Sequence, residues 1–200
     1  MRTSTLAGLM ALAASSTTAQ FVNTTAPFAL LVLSQNETYN GTTISPCHEG
    51  AAIEGLCIGT KLGSPPPAFV QTYTQNYSAS ATVDPTIGVV GYLIFDLPVS
   101  GLNESSPMSF AYNPSSNVAV PLFEPSESGQ EVAFHEDQLF IPSFTNDQVT
   151  PPTFEENVFD RWYICNTNVG YNYITVAWAL GDAAPQNPSC VKASIRRVFV

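Results

Sequence analysis

Three tyrosines near the end of the chain, Tyr163, Tyr171 and Tyr173, are the side chains that best suggest a ligand site. Residues 171–180 alternate with a period of two, which predicts a strand with Tyr171 and Tyr173 on one face and Trp178 on the other. Aromatic rings that stand on a sheet face can stack on sugar rings. The same rings could instead cover a second core layer or a glycan. We therefore expect Tyr171 and Tyr173, joined by Tyr163 from the neighbouring strand, to form a candidate ligand-binding face.

The chain contains only two histidines, His48 and His135, that could serve in acid–base catalysis. A serine or cysteine triad would need one of them. His48 follows Cys47, whose sulfur we expect to be oxidised in a disulfide. His135 opens the run His-Glu-Asp, which could begin a metal site, but no second histidine lies nearby and the run is typical of a hairpin tip. No nucleophile elbow, zinc-protease helix motif or phosphate loop is present. The sequence predicts no catalytic residue, no metal site and no cofactor.

Carboxylates leave one enzymatic alternative open. The chain has 16 acidic residues, and glycosidases need only two carboxylates at a set separation. Glu155 and Glu156 are adjacent, so on a strand they would point to opposite faces and would not form such a pair. A carboxylate-dependent hydrolase therefore remains an alternative without assigned residues.

The four cysteines, Cys47, Cys57, Cys165 and Cys190, allow three disulfide connectivities. More than 100 residues separate Cys57 from Cys165. The local pairing, Cys47–Cys57 and Cys165–Cys190, is the one we predict. Their spacings match no zinc pattern.

The charge balance argues against two classes of partner. Six basic residues face 16 acidic ones, a formal net charge of −10. Such a surface repels phosphate backbones and anionic lipid, so we expect neither nucleic acid nor membrane as a partner. Arg161, Lys192, Arg196 and Arg197 could form a basic patch or pair with acids of the chain itself.

The first 19 residues have the layout of a secretory signal peptide, with Arg2, an apolar stretch at 6–14 and a small-residue cleavage site at 17–19. Residues 20–200 fit one secreted domain. The pattern Asn-x-Ser/Thr predicts glycosylation on exposed segments, at Asn23, Asn36, Asn40, Asn76 and Asn103. The expected location is extracellular or the cell wall.

Short runs with β-branched and aromatic residues, separated by turn signals, predict an all-β domain. An antiparallel β-sandwich or a closed β-barrel fits, a β-trefoil is a further option, and two disulfides would staple the fold. Ile174, Val176, Trp178 and Leu180 are expected to face the core from residues 171–180. Residues 103–107 are expected to form a loop, and residues 64–67, a serine followed by three prolines, a connector.

Four segments together resemble a family of small secreted ascomycete proteins known only as a domain of unknown function. They are CHEGAAIEGLC at 47–57, GYLIFD at 91–96, SNVAVPLF at 116–123, and WYIC at 162–165 through NPSC at 187–190 to RVFV at 197–200. The last segment also has a faint similarity to the end of phialide-associated fungal cell-wall proteins. The resemblance implies a fungal protein outside the cell or in its wall, and it carries over no catalytic residue.

Together these features predict a secreted fungal glycoprotein without catalytic activity, which could bind cell-wall polysaccharide. The alternatives are the hydrolase described above and an effector that binds an extracellular host protein.

Overall fold

The computed structural model describes residues 21–63 and 70–200. The predicted signal peptide, 1–19, and the predicted connector, 64–67, lie outside the described residues. Within those limits the chain forms strands and no helix. The fifteen strands are β1 Phe21–Thr24, β2 Phe28–Leu33, β3 Thr42–Gly50, β4 Ile53–Lys61, β5 Thr74–Ser78, β6 Val89–Val99, β7 Leu102–Tyr112, β8 Val118–Phe123, β9 Glu131–His135, β10 Gln138–Ser143, β11 Asn157–Phe159, β12 Trp162–Asn168, β13 Asn172–Ala179, β14 Val191–Lys192 and β15 Ser194–Phe199.

All strands belong to one hydrogen-bonded sheet. Its order is β1-β5-β6-β9-β10-β15-β2-β3-β4-β8-β13-β12-β14, with β11 beside β10. Strand β7 pairs with both β6 and β8, and β13 pairs with β4 as well as β8. Every pairing between these strands is antiparallel. The predicted all-β, antiparallel class is confirmed, although the sheet is not a clean barrel.

Tight turns connect several neighbouring strands. Glu136 and Asp137 have φ of 49° and 64° and join His135 directly to Gln138. Two residues with positive φ form the turn whose twist matches the flanking strands. The predicted hairpin tip at 135–137 is therefore confirmed.

One core cluster contains side chains from strands that lie far apart in the sheet order, such as β6 and β12. Trp162 and Trp178 are directly paired across β12 and β13, with ring centroids 4.8 Å apart in an edge-to-face arrangement. The Trp162 indole N–H donates to the carbonyl of Leu139 at 2.8 Å. Tyr73 is also fully buried, which raises the pKa of its phenol, and its hydroxyl donates to the Ile44 carbonyl at 3.1 Å. Both buried polar groups are thus satisfied, as a buried donor requires.

The two predicted disulfides are present. Cys47–Cys57 links β3 to β4, and Cys165–Cys190 links β12 to the segment before β14. On the outer face of β12 and β13, Cys165 packs with Val118 and Ala177 in a small second cluster. The fold is therefore stapled twice, as predicted.

Three local predictions are wrong. Residues 103–107, expected as a loop, belong to β7, where they pair with β6. Ile174, expected in the core, is 45% exposed. Strand β13 pairs with β4 at Thr175 and with β8 at Trp178 and Ala179, so Ile174 lies closer to the hairpin tip than any of these pairings. Leu180 is also half exposed, because β13 ends at Ala179.

Candidate functional site

An exposed group of three rings lies at the tip of the β12–β13 hairpin. The ring centroids of Tyr171 and Tyr173 are 6.1 Å apart, and those of Tyr171 and His48 are 5.8 Å apart. Tyr171 is 51% exposed, and Tyr173 is partly buried. We call His48, Tyr171 and Tyr173 the aromatic platform. It brings together two of the three tyrosines that the sequence singles out.

Glu49 fixes the backbone that carries Tyr171. Its Oε2 accepts hydrogen bonds from the backbone N–H groups of Gly170 and Tyr171, at 2.9 and 3.0 Å. Such charge-assisted bonds are stronger than neutral ones. The bonds dock the β12–β13 turn onto the tip of the β3–β4 hairpin, so Tyr171 stands on an anchored turn.

The anchoring carboxylate is itself buried. Glu49 is 5% exposed, and its second oxygen, Oε1, has no hydrogen-bond partner among the described residues. A Cβ built on Gly55 would lie 3.2 Å from Cγ of Glu49 and 3.1 Å from Sγ of Cys47. The Cys47–Cys57 disulfide therefore braces the hairpin tip at the point where Glu49 projects from it.

Close backbone contact reinforces this docking. A Cβ placed on Gly170 would overlap the carbonyl oxygen of Glu49. Only glycine lets the turn approach β3 so closely. The platform therefore depends on two hairpins whose contacting residues are about 120 positions apart in the chain.

The third predicted tyrosine lies elsewhere on the same sheet face. Tyr163 pairs with Ala177, four residues along β12 from Thr167, the partner of Tyr173. At about 3.3 Å per residue this is a separation of about 13 Å. The Lys192 ammonium lies 5.2 Å from the Tyr163 ring centroid, and the ring packs beside Cys190. Tyr163 is therefore not part of the aromatic platform.

Beside the platform is a pocket of about 320 Å³ whose lining contains no ionisable side chain. We call it the asparagine pocket. It is lined by Asn113, Ser115, Ser116, Val118, Val120, Asn166, Thr167, Asn168 and Asn187. Thr167 joins the two regions, because it lines the pocket and is directly paired with Tyr173.

A second concavity, of about 360 Å³, lies where β10 and β11 meet their connecting loop. We call it the polar cleft. Asp147, Glu155, Asn157 and Arg161 are among its lining residues. Glu155 accepts hydrogen bonds from Asn146 and Thr153 of its own loop, at 3.2 and 2.9 Å. Two carboxylates therefore share one cleft, although Glu156, its neighbour in sequence, is not among the lining residues.

Three of the four cations considered as a basic patch are paired with acids of the chain. Arg161 pairs with Asp182, Lys192 with Asp160 and Arg197 with Asp137. Burial lowers the pKa of Lys192, and the Asp160 carboxylate opposes that shift. The expectation of internal pairing is confirmed for these three residues.

The two histidines lie on different strands, His48 on β3 and His135 at the end of β9. His48 Nδ1 lies 3.8 Å from Glu54 Oε1, and His135 sits at the β9–β10 turn. In the part of the chain that the structure describes, no cluster of three or more His, Cys, Asp or Glu side chains could hold a metal ion. No helix in residues 21–63 or 70–200 is long and apolar enough to cross a membrane.

The five predicted glycosylation sites are all at least partly exposed, and Asn23 and Asn103 are the most open of them. Asn36, Asn40 and Asn76 accept hydrogen bonds through Oδ1. The glycan bond forms at the other side-chain atom, Nδ2. These positions are therefore open to the modification, which stays a prediction.

Sequence reasoning did not find the roles of His48 and Glu49 in the platform. Their partners lie in a hairpin more than 100 residues away, and no local motif marks the contact. The asparagine pocket was missed for the same reason, because its walls come from three separate segments, 113–120, 166–168 and Asn187.

Comparisons with known proteins place the chain in a family but give it no activity. No curated protein and no solved structure matches it. The model of one family, described as Domain of unknown function (DUF7907), matches residues 25–199. This match covers nearly all of the described strands, in agreement with the resemblance to a domain of unknown function. The chain belongs to the DUF7907 family.

Proposed function

We propose that this protein is a secreted fungal glycoprotein that binds a glycan, in the cell wall or the extracellular space, without catalysing a reaction. The observation that carries the proposal is the aromatic platform, in which Tyr171 is half exposed and lies against the rings of Tyr173 and His48. Sugar rings present apolar C–H faces that stack on such aromatic side chains.

The anchoring of the turn supports a binding role. Because Glu49 and Gly170 hold the turn in place, the backbone at Tyr171 loses little further conformational entropy when a ligand binds. An exposed aromatic ring on a mobile loop would lose more entropy on binding. The platform is therefore pre-organised for a flat ligand surface.

Several features support the extracellular location. Two disulfides suit an oxidising compartment. Five accessible sequons and the predicted signal peptide point to the same route. The fungal origin rests on the family resemblance alone.

The test is retention of the purified, enzymatically deglycosylated protein on insoluble chitin, β-glucan and mannan. Tyr171→Ala should lower retention on the polysaccharide that binds by about tenfold, because the variant loses the most exposed stacking ring. Phe154→Ala is the matched control, since Phe154 is 92% exposed and lies outside the platform. Retention on none of the three polysaccharides, or equal losses for both variants, would refute the proposal.

The polar cleft favours a second candidate, the carboxylate-dependent hydrolase, because Asp147 and Glu155 line the same concavity. Hydrolysis would release reducing ends, which can be measured in the supernatants of the same retention samples. Release by the wild type that disappears in a Glu155→Gln variant would establish the hydrolase in place of the binding protein. Supernatants without released reducing ends would remove this candidate.

A further inference from the structure

We infer that the asparagine pocket is a subsite for an uncharged sugar unit of the glycan whose neighbouring unit stacks on the aromatic platform. The inference rests on the proposed function and adds the chemical class of the ligand: a neutral oligosaccharide of at least two units. Its basis is the composition of the pocket, its floor and its position.

Two asparagine side chains, Asn113 and Asn187, and three hydroxyl residues supply the polar side chains of the pocket, whereas Asn166 and Asn168 flank Thr167 on β12 and point to the other face of the sheet. A side-chain amide carries both donors and an acceptor, and a hydroxyl can do either. Sugar hydroxyls also donate and accept, so neutral groups of this kind match them without burying a charge. An ionised ligand would find no counter-charge in this lining and would lose hydration without compensation.

The floor of the pocket is apolar. Val118 and Val120 of β8 form this floor. Strand β13 runs between β8 and β12, and its residues Thr175 and Ala177 are fully buried there. Small side chains at these two positions leave room above the sheet. An apolar floor with a polar rim is the usual construction of a site for a compact polar ligand.

Several of the rim groups are held in place by the fold. Asn187 donates from Nδ2 to the carbonyl of Asn166 at 2.9 Å, and Asn113 accepts the N–H of Ser115 at 2.9 Å. Thr167 and Thr175 share a hydrogen bond of 2.7 Å between their hydroxyls. The rim is therefore largely pre-formed, which lowers the entropy cost of binding.

The pocket and the platform are close enough to serve one ligand. Thr167 and Tyr173 are opposite each other on the antiparallel strands β12 and β13, and the Cα atoms of such a pair lie about 5 Å apart. Tyr171, two residues further along, then continues the surface to the hairpin tip. A ligand that stacks on Tyr171 and Tyr173 would thus reach the pocket with its next unit.

The charges of the molecule exclude acidic glycans. The formal net charge is −10, and Arg161, Lys192 and Arg197 are already engaged with carboxylates. A uronate or sulfate would approach a repulsive surface and find no free cation in the pocket. This selects neutral glycans over anionic ones.

The test compares oligosaccharides by calorimetric titration of the deglycosylated protein. The probes are the neutral hexamers of chitin, β-glucan and mannan, the anionic hexamer of galacturonic acid, and the cationic hexamer of chitosan. The best neutral hexamer should bind at least tenfold more tightly than either charged hexamer at physiological salt.

Asn113→Asp then tests the pocket. Asn113 is exposed, and its Oδ1 accepts the backbone N–H of Ser115, a bond that an aspartate oxygen can keep, so the fold should tolerate the change. The variant places a carboxylate without a counter-charge at the rim and removes the amide donors, so affinity for the neutral hexamer should fall by about tenfold. Asn157→Asp, in the polar cleft, makes the same change of charge and should leave affinity unchanged.

The outcomes separate this inference from the proposed function. If no hexamer binds, both fail. If binding is sensitive to Tyr171→Ala but not to Asn113→Asp, or if a charged hexamer binds best, the inference fails and the proposed function stands. If Asn157→Asp weakens binding and Asn113→Asp does not, the site is the polar cleft and the inference is overturned.

Discussion

Glu49 is a buried carboxylate that is balanced by backbone amides and not by a cation. Burying a charge is costly unless hydrogen bonds compensate for the lost hydration. Here one oxygen accepts two N–H groups, and the other has no partner in the described part of the chain. Glu49 therefore fixes the position of the turn that carries Tyr171.

Replacing this carboxylate should loosen the turn. Glu49→Ala removes both hydrogen bonds and should lower the free energy of unfolding by about 1–3 kcal/mol. Glu49→Gln should cost less, because an amide oxygen can still accept, but without the charge. Urea denaturation measures both losses. Glu104→Gln, an exposed position on β7, is the control, and an unchanged stability of Glu49→Ala would contradict the assigned role.

At the level of elements, the β12–β13 hairpin has two functions along its length. Near its base Trp162 and Trp178 fill the core, and Cys165 holds the segment that ends at Cys190. Near its tip, past its ladder pairings with β4 and β8, the hairpin carries the platform. One strand pair thus supplies both a scaffold and a presented surface.

The period of two in residues 171–180 predicts the strand and the opposed faces of Tyr173 and Trp178. It does not predict how far the core extends along the hairpin, so it assigns Ile174 to the core although that side chain is 45% exposed. The same limit applies to 103–107, where Asn, Glu and Ser resemble a loop but pair with β6. Local composition indicates an element, whereas its neighbours depend on contacts between distant residues.

The docking of the two hairpins can be tested at Gly170. Gly170→Ala should destabilise the protein by about 1–3 kcal/mol and lower glycan retention, because the new Cβ would overlap the Glu49 carbonyl and force the turn away. Thermal unfolding and the retention assay measure the two effects.

Gly101→Ala is the matched control. Gly101 has a φ of 87°, and a Cβ there would meet nothing within 4 Å. Its replacement should therefore cost only backbone strain, about 1 kcal/mol, and leave retention intact. Equal effects of the two substitutions on retention would show that the docking does not position the platform.

At the scale of the whole molecule, the sequence predicted the all-β class, the antiparallel pairing and both disulfides. These follow from residue alternation, turn signals and cysteine position, which are local properties. The asparagine pocket could not be predicted, because it combines segments that only the complete fold brings together. The polar cleft lies within one stretch, 143–161, but no motif in that stretch marks a concave surface. The predicted glycosylation sites fall on a different part of the chain, since all five precede residue 104 and the pocket begins at Asn113.

The position of β1 at one end of the sheet has a consequence for self-association. Its pairing with β5 uses one side of the strand, and β1 has no second partner among residues 21–63 and 70–200. An unpaired strand side is a template for a strand of another copy. Asn23 lies on β1 and is exposed, so a glycan there would obstruct such an addition.

Protein that carries a glycan at Asn23 should therefore stay monomeric, whereas an Asn23→Gln variant should form dimers or larger aggregates at the same concentration. Light scattering after size-exclusion chromatography gives the masses, and Asn103→Gln, on β7, is the control. Identical masses for all three proteins would contradict this role. A glycan at Asn23 would then prevent edge-to-edge aggregation through β1, and the glycosylated protein would be more soluble than the unglycosylated one.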